Sequence, residues 1–381
     1  MMKNYSNIHP KAILTRSFVI MLLCVVILLS AFRKRQSPAT LQSASSFPIG
    51  AAVNPFLLQT NPAYRHVVET EFNSITSENV LKWAGVHPAK NTFDFSKGDT
   101  LADFALSHHI RFHGHNLCWY QYNPKWLTNF TGDSAAWEKL FKTHIQTVVS
   151  HYKGKVASWD VVNEAFHNDG TLRSEKTTPD NKPDDGCIWA RNIGIDYIAR
   201  AFIYAHEADP DALLFYNDYD QEIYPAKLGS IINMVTYFKK RGVPINGVGI
   251  QMHININTPE EGITNAIKKL ANTGLKIHIA ELDISVNPKN DPNIVYSDSL
   301  QKIQSHMYAF VIKQYEKLVP PEQQYGITTW NVGDADSWLR QAYKRKDWPM
   351  LFDDNYMRKP AYDTVINDLT TVEQLLRKLP M

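Results

Sequence analysis

The chain has 381 residues, 44% of them hydrophobic, which allows one large α/β domain or two smaller ones. Its formal net charge is +2 and no basic stripe runs through it, which excludes nucleic acid as a natural partner. Aromatic residues make up 12%, nine of them Trp, a supply that a sugar-binding cleft or a large core would each use.

Residues 18–32, FVIMLLCVVILLSAF, form a charge-free apolar run preceded by Lys3, Lys11 and Arg16. At about fifteen residues the run is shorter than the roughly 20 that a helical membrane span needs. It suits the core of an export signal. Arg33, Lys34 and Arg35 follow it directly, a poor context for cleavage, so residues 1–35 read as a signal peptide or as an uncleaved anchor. Either way the protein is expected to be exported: secreted, periplasmic or held at the cell surface, with this segment its only contact with a membrane. Cys24 reads as a plain apolar residue of the run. Residues 36–46, QSPATLQSASS, read as a polar linker, and the rest of the chain, 47–381, as one catalytic domain. Cys118 and Cys187 are the cysteines of that domain, too few for a metal site of the usual spacing, and two unpaired thiols are expected.

From residue 47 onward short β-rich runs alternate with amphipathic stretches. The strand candidates are PIGAAV (48–53), NSITSEN (73–79), IRFHGHNLCW (110–119), SWDVVNEAF (158–166), LLFYNDY (213–219), GVGIQMH (247–253), KIHIAELDI (276–284) and YGITTWNV (325–332). Between them lie segments such as SAAWEKLFKTHIQTVVSHY and ARNIGIDYIARAFIYAHEA, whose apolar residues recur at helical spacing. Alternation of this kind implies a parallel sheet. Eight units in a chain of this length suit a closed (β/α)8 TIM barrel better than an open sheet.

Several of these strands end in polar or aromatic residues: Glu78 and Asn79, His115 and Trp119, Asn163 and Glu164, Asn217 and Tyr219, Gln251 and His253, Glu281 and Asp283, Trp330. In such a barrel the C-terminal strand ends surround the active site. Side chains alternate along a strand, so the members of the pairs 115/119, 217/219, 251/253 and 281/283 are each expected to share a face. One polar strand end can be a satisfied core group, but seven on one rim point to a site.

Glu164 ends the fourth strand and Glu281 the seventh, so the two face each other across the barrel mouth. Paired carboxylates there suit glycoside hydrolysis, in which one gives its proton to the leaving oxygen and the other stays ionised. Asn163 can donate to a sugar hydroxyl, His253 can bond Glu281, and Asp283 can hold that imidazole. The competing reading makes both glutamates ion-paired structural residues. No metal cluster, phosphate loop or dinucleotide glycine fingerprint is present in the sequence, so neither metal nor cofactor is expected.

WDVVNEAF, HIAELDIS, GHNLCW, SENVLKW, GVGIQMH, YNDY and GITTWNVGDADSW, closed by PMLFDDNYMRKPAY, resemble the successive motifs of glycoside hydrolase family 10. The likeness runs in order from about residue 48 to 366. It implies a retaining endo-β-1,4-xylanase acting on xylan and xylo-oligosaccharides, with Glu164 as general acid/base and Glu281 as nucleophile. It further implies that Glu78, Asn79, Lys82, His115, Trp119 and Trp338 bind sugars on the non-reducing side. Asn163, Gln251 and His253 would then surround the reacting sugar and Trp330 would floor it. Asn217 and Tyr219 are expected among the substrate ligands as well. On the residues alone, Lys82 reads as a solvated charge, and Trp330 and Trp338 as core.

The chain departs from the family pattern at His113, where an Arg is usual, at Tyr120 and Tyr122, where a His and a Gln are usual, and in the long charged loop that follows Glu164. Rival readings keep the mechanism but change the substrate to β-1,4-glucan or short oligosaccharides, or keep xylan binding without catalysis. A monomer is expected.

Overall fold

The computed structural model describes residues 39–174 and 185–369, and within them the sheet closes on itself. Its strands are β1 (Ile49–Val53), β2 (Ser74–Ser77), β3 (Arg111–His115), β4 (Ser158–Asn163), β5 (Leu213–Asp218), β6 (Gly247–Ile250), β7 (His253–Asn255), β8 (Lys276–Ser285) and β9 (Gln324–Thr329). Every pairing is parallel, β1 joins β2 to β9, and β6 pairs with both β5 and β8 to close the ring. Nine segments fill eight positions, because β6 and β7 are two halves of one strand lying along β8. The break falls at Met252, whose φ is +62°. The expected eight-stranded (β/α)8 barrel is the fold.

The strands are short and mostly buried on both faces, as a parallel sheet sheathed in helices requires; β1 and β4 are buried throughout. The helices carry local stop and start signals. Asn54 and Asn61 accept first-turn amides with Pro55 and Pro62 behind them, and Asp133 caps Ser134–His151. Trp137, Phe141, Ile145 and Val148 then bury one face of that helix. The stretch around residues 190–208, read as one helix, is two, Ile188–Ile193 and Tyr197–Ala208. Gly194 separates them at φ +82°, a conformation that ends a helix and that glycine adopts without strain.

The polar stretch before the barrel begins to pack earlier than residue 47. Leu41–Ala44 forms a helical turn, Leu41 is fully buried, and its N–H bonds Glu71 Oε2 at 2.9 Å. Glu71 also accepts Arg358 and Tyr362, so this turn is tied to the helix Pro360–Leu369. Residues 41–44, expected as part of the linker, are therefore packed against the barrel domain. Among the described residues no helix is long and apolar enough to cross a membrane; the run 18–32 lies outside them. Cys118 and Cys187 are both buried and free.

Below the catalytic face the barrel interior is filled by rings rather than by the branched aliphatic side chains common in this fold. His113 and His278 meet at 5.0 Å and Phe215 and Tyr325 at 4.5 Å, while the Arg111 guanidinium lies 3.7 Å from the Tyr325 ring.

One buried carboxyl outside the cleft sets a stability prediction. Glu222, in the turn after β5, is 4% exposed, and its carboxyl oxygens find no partner in any other residue. Burial first, then the charge of Asp220, pushes it up from 4.5 to about 7, against the opposing pull of its own amide, His253 and Lys227. The folded protein thus holds a proton that the unfolded chain releases above pH 4.5, so stability falls as pH rises from there to about 7. A shift of this size is worth about 3 kcal/mol. Glu222→Gln should therefore stabilise the protein by up to about 3 kcal/mol at pH 8 and by little at pH 4. Denaturant unfolding at the two pH values checks this, and an equal effect at both would refute it.

Candidate active site

A cleft with an open volume of about 370 Å³ sits at the C-terminal ends of the strands. Its walls include Lys82, His115, Trp119, Asn163, Glu164, Tyr219, Gln251, His253, Glu281, Trp330 and Trp338. Tyr120 and Gln121, from the stretch that departs from the family pattern, also line it, as do Asp220 and Tyr343, which the sequence did not single out.

The placement of the two glutamates has a common origin. β4 carries one extra residue against β5 between Asp160 and Val162, and β8 carries one against β9 between Ile279 and Leu282. Such bulges re-aim the side chains beside them. Glu164 then leaves the strand at φ +56°, a left-handed conformation that costs a non-glycine residue roughly 1–2 kcal/mol. That turn explains why an amide and a carboxylate follow a buried apolar run. Asn163 is the last residue of the strand, and Glu164 swings into the cleft.

The Glu164 carboxyl is ringed by donors. Trp119 Nε1 bonds Oε2 at 2.8 Å, and Gln251 Nε2 and Asn163 Nδ2 bond Oε1 at 2.9 and 3.2 Å. Burial nonetheless raises its pKa above the ordinary value, with the charges of Asp218 and Glu281 adding to the rise and the Gln251 and Trp119 bonds opposing it.

Glu281 has the opposite surroundings. Asn217 Nδ2 donates to its Oε1 at 2.7 Å, His253 Nε2 lies 3.2 Å from Oε2, and His115 Nδ1 lies 4.0 Å from Oε1. Burial alone would raise its pKa, but His115, His253 and Lys82 outweigh burial and hold it below the ordinary value. His253 Nδ1 is 2.9 Å from Asp283 Oδ2, which also accepts Trp338 Nε1 at 2.6 Å. Burial works against charge on this imidazole, yet Asp283 and Glu281 push it up to about 10, so it stands as a cation between two carboxylates. One cleft thus holds two carboxyls whose surroundings push their proton affinities in opposite directions, Glu164 up and Glu281 down.

The sequence profile of glycosyl hydrolase family 10 matches residues 39–368. The chain belongs to glycosyl hydrolase family 10. An endo-beta-1,4-xylanase of Cellvibrio japonicus is 37% identical over 342 residues, covering 83% of this chain and 55% of its own length. The chain spans about half of that relative. An endo-1,4-beta-xylanase of Geobacillus stearothermophilus is 37% identical over 341 residues, 85% of this chain and 96% of its own. Among solved structures, a Cellvibrio japonicus xylanase variant in complex with xylopentaose matches with a TM-score of 0.80 at 35% identity, over 87% of this chain and 69% of that one.

The remaining expected residues divide into those the family 10 cleft exposes and those it buries beneath. Lys82 is 7% exposed, and its ammonium bonds Asn79 Oδ1 at 2.9 Å and lies 4.8 Å from the Trp119 ring and 5.6 Å from that of Trp330. Burial lowers its pKa against the pull of Glu281, Glu164 and Glu78. Asn79 stands beside Lys82 through that bond, and Glu78 meets Asn54 Nδ2 at 3.5 Å; both are part-exposed where Lys82 is buried. Asn217 is fully buried, with its amide committed to Asn163 Oδ1 at 3.0 Å and to Glu281, so it supports the two ends of the site instead of facing a sugar. Gly249 makes room for it: a Cβ there would stand 2.2 Å from Asn217 Oδ1. Trp119 and Tyr219 reach the cleft from loops, and Gln251 from the break between β6 and β7. The alternation argument therefore holds only for Glu281 and Asp283 on β8.

The departures from the family pattern also have places. His113 sits under the site with Nε2 2.9 Å from Asp160 Oδ2 and Nδ1 2.6 Å from Ser158 Oγ. Asp160 also meets His115 Nδ1 at 2.9 Å, which fixes that ring below Glu281. Tyr120 stacks on the Arg173 guanidinium at 4.1 Å, and Arg173 donates to Tyr219 Oη at 2.8 Å. Arg173 was missed because it stands in a charged loop and reads as a solvated cation. Tyr122 is half exposed, at φ +56°, with its ring 5.9 Å from the Lys82 ammonium.

Proposed function

We propose that this protein is an endo-1,4-β-xylanase that cleaves internal β-1,4 bonds of xylan with retention, with Glu281 as nucleophile and Glu164 as acid/base. The observation that carries the reading is the divergence of two carboxyls within one cleft, Glu164 raised and Glu281 lowered. Environments that push paired titratable groups apart assign the acid and the nucleophile. In the first step Glu281 attacks the anomeric carbon while Glu164 gives its proton to the departing oxygen. In the second, Glu164 takes a proton from the water that displaces Glu281. His253, fixed by Asp283, keeps Glu281 ionised and oriented. Gln251 and Asn163 hold the Glu164 carboxyl and can reach the sugar between the two acids. Trp119, Trp330 and Trp338 offer ring faces to the apolar sides of the pyranoses.

Proton NMR during digestion of xylotetraose tests the stereochemistry. The β-anomer should appear at the new reducing end before mutarotation, and α appearing first would overturn the double displacement. Release of reducing ends from xylan but not from carboxymethyl-cellulose tests the substrate, and binding without release would leave a non-catalytic barrel. We infer export from the basic, then apolar N-terminus, and the only membrane contact through that segment; cell fractionation of the full chain checks it.

A further inference from the structure

Alternation along β5 sends Asn217 toward the cleft and its neighbours Tyr216 and Asp218 to the opposite side, against the helix Pro225–Arg241. There Lys227 meets Asp218 Oδ1 at 2.8 Å, and all three side chains are fully buried. A buried ion pair is weak evidence of a stabilising role, since desolvation opposes the attraction, so its direction of action matters more than its presence.

That direction is readable. Burial raises the Asp218 carboxyl above its ordinary value, and the Lys227 ammonium is the largest influence opposing that rise. The Asp218 carboxylate accepts the proton of the Tyr216 hydroxyl at Oδ2, and the Tyr219 N–H at Oδ1 at 2.9 Å. With its O–H aimed at Asp218, the Tyr216 oxygen turns its lone pairs to the Ala165 N–H, which donates to it at 3.0 Å. Ala165 directly follows Glu164, whose own N–H is held by Asn217 O at 2.9 Å and whose carbonyl accepts Arg173 Nε at 3.1 Å. The left-handed turn at Glu164 is therefore pinned on both sides, and the second pin depends on a buried chain from Lys227 through Asp218 and Tyr216.

We propose that Tyr216, Asp218 and Lys227 are positioning residues for the acid/base, clamping the amide after Glu164 so that its carboxyl stays aimed at the leaving group. This rests on the reading of Glu164 as acid/base. The clamp touches no substrate. It acts by keeping a conformation that a non-glycine residue otherwise leaves.

Tyr216→Phe in the full chain keeps the ring and its edge contact with Phe166 while removing the hydroxyl. Its kcat/KM on xylotetraose should fall roughly 10- to 100-fold, part of the about 10²–10⁴ that a positioned general acid contributes. On dinitrophenyl xylobioside, whose leaving group needs no proton, the loss should stay within about threefold, and KM should hardly move. Equal losses on both substrates, or no loss on either, would overturn the clamp. Glu164→Ala is measured alongside. If that variant shows no dependence on the leaving group, the reading of Glu164 fails; if it does and Tyr216→Phe does not, the clamp alone fails. Should Tyr216→Phe not fold, amide hydrogen exchange of the unaltered protein decides: the Ala165 N–H should exchange as slowly as the β4 amides, and exchange at the rate of an open turn rejects the proposal.

Discussion

Glu281→Ala should abolish hydrolysis of every substrate, activated or not, with a loss on the order of 10⁶-fold, the scale seen when a catalytic nucleophile is removed. The expectation follows from position and charge together. Glu281 is buried, held ionised by His115, His253 and Lys82, and its Oε1 is steered by Asn217. A 2-deoxy-2-fluoro xylobioside with a good leaving group should trap the covalent intermediate on it, and mass spectrometry of the peptide carrying residues 276–285 should show the added sugar. A label on any other carboxylate would reassign the nucleophile. The same substitution takes one carboxylate away from His253, which keeps Asp283, so the fold should survive.

Glu164→Ala should give a graded defect instead. On xylan the first step loses the roughly 10²–10⁴-fold that a general acid supplies, whereas on dinitrophenyl xylobioside the first step should persist. The second step then stalls for want of a base, and azide, which needs none, should restore turnover and give a β-azide. Equal loss on all substrates, with no azide rescue, would remove Glu164 from the acid/base role. The unaltered enzyme should show a bell-shaped pH dependence of kcat/KM, its acidic limb set by Glu281 and its basic limb by Glu164. The basic limb should vanish in Glu164→Ala.

Much of this site can be read from residue order because an apolar run leads into Glu164 after β4 and into Glu281 on β8, which continues past it to Ser285 instead of ending there as expected, and the parallel barrel brings both to one end. The rest depends on relations that no single segment contains. The bulges before Glu164 and Glu281 are mismatches between two strands, so neither strand reveals them. Asn217 looks like a cleft residue from its alternation, but it is buried and its amide is taken up by Asn163 and Glu281. Leu41 sits in a Ser- and Gln-rich stretch that reads as a linker until Glu71, far along the chain, offers its N–H an acceptor. Glu222 and Arg173 read as solvated charges in polar turns, and only packing shows one to be buried without a partner and the other wedged between two tyrosines.

The amides between the two acids have a consequence for the order of events. Asn163 bonds Glu164, Asn217 bonds both Asn163 and Glu281, and the negative charge of Glu281 is among the influences that raise Glu164. On the proposed mechanism Glu281 becomes an ester and that charge is lost, so the affinity of Glu164 for a proton should drop at the step that needs it to be a base. Each half of the proposed reaction would then reset the proton balance that the other half requires.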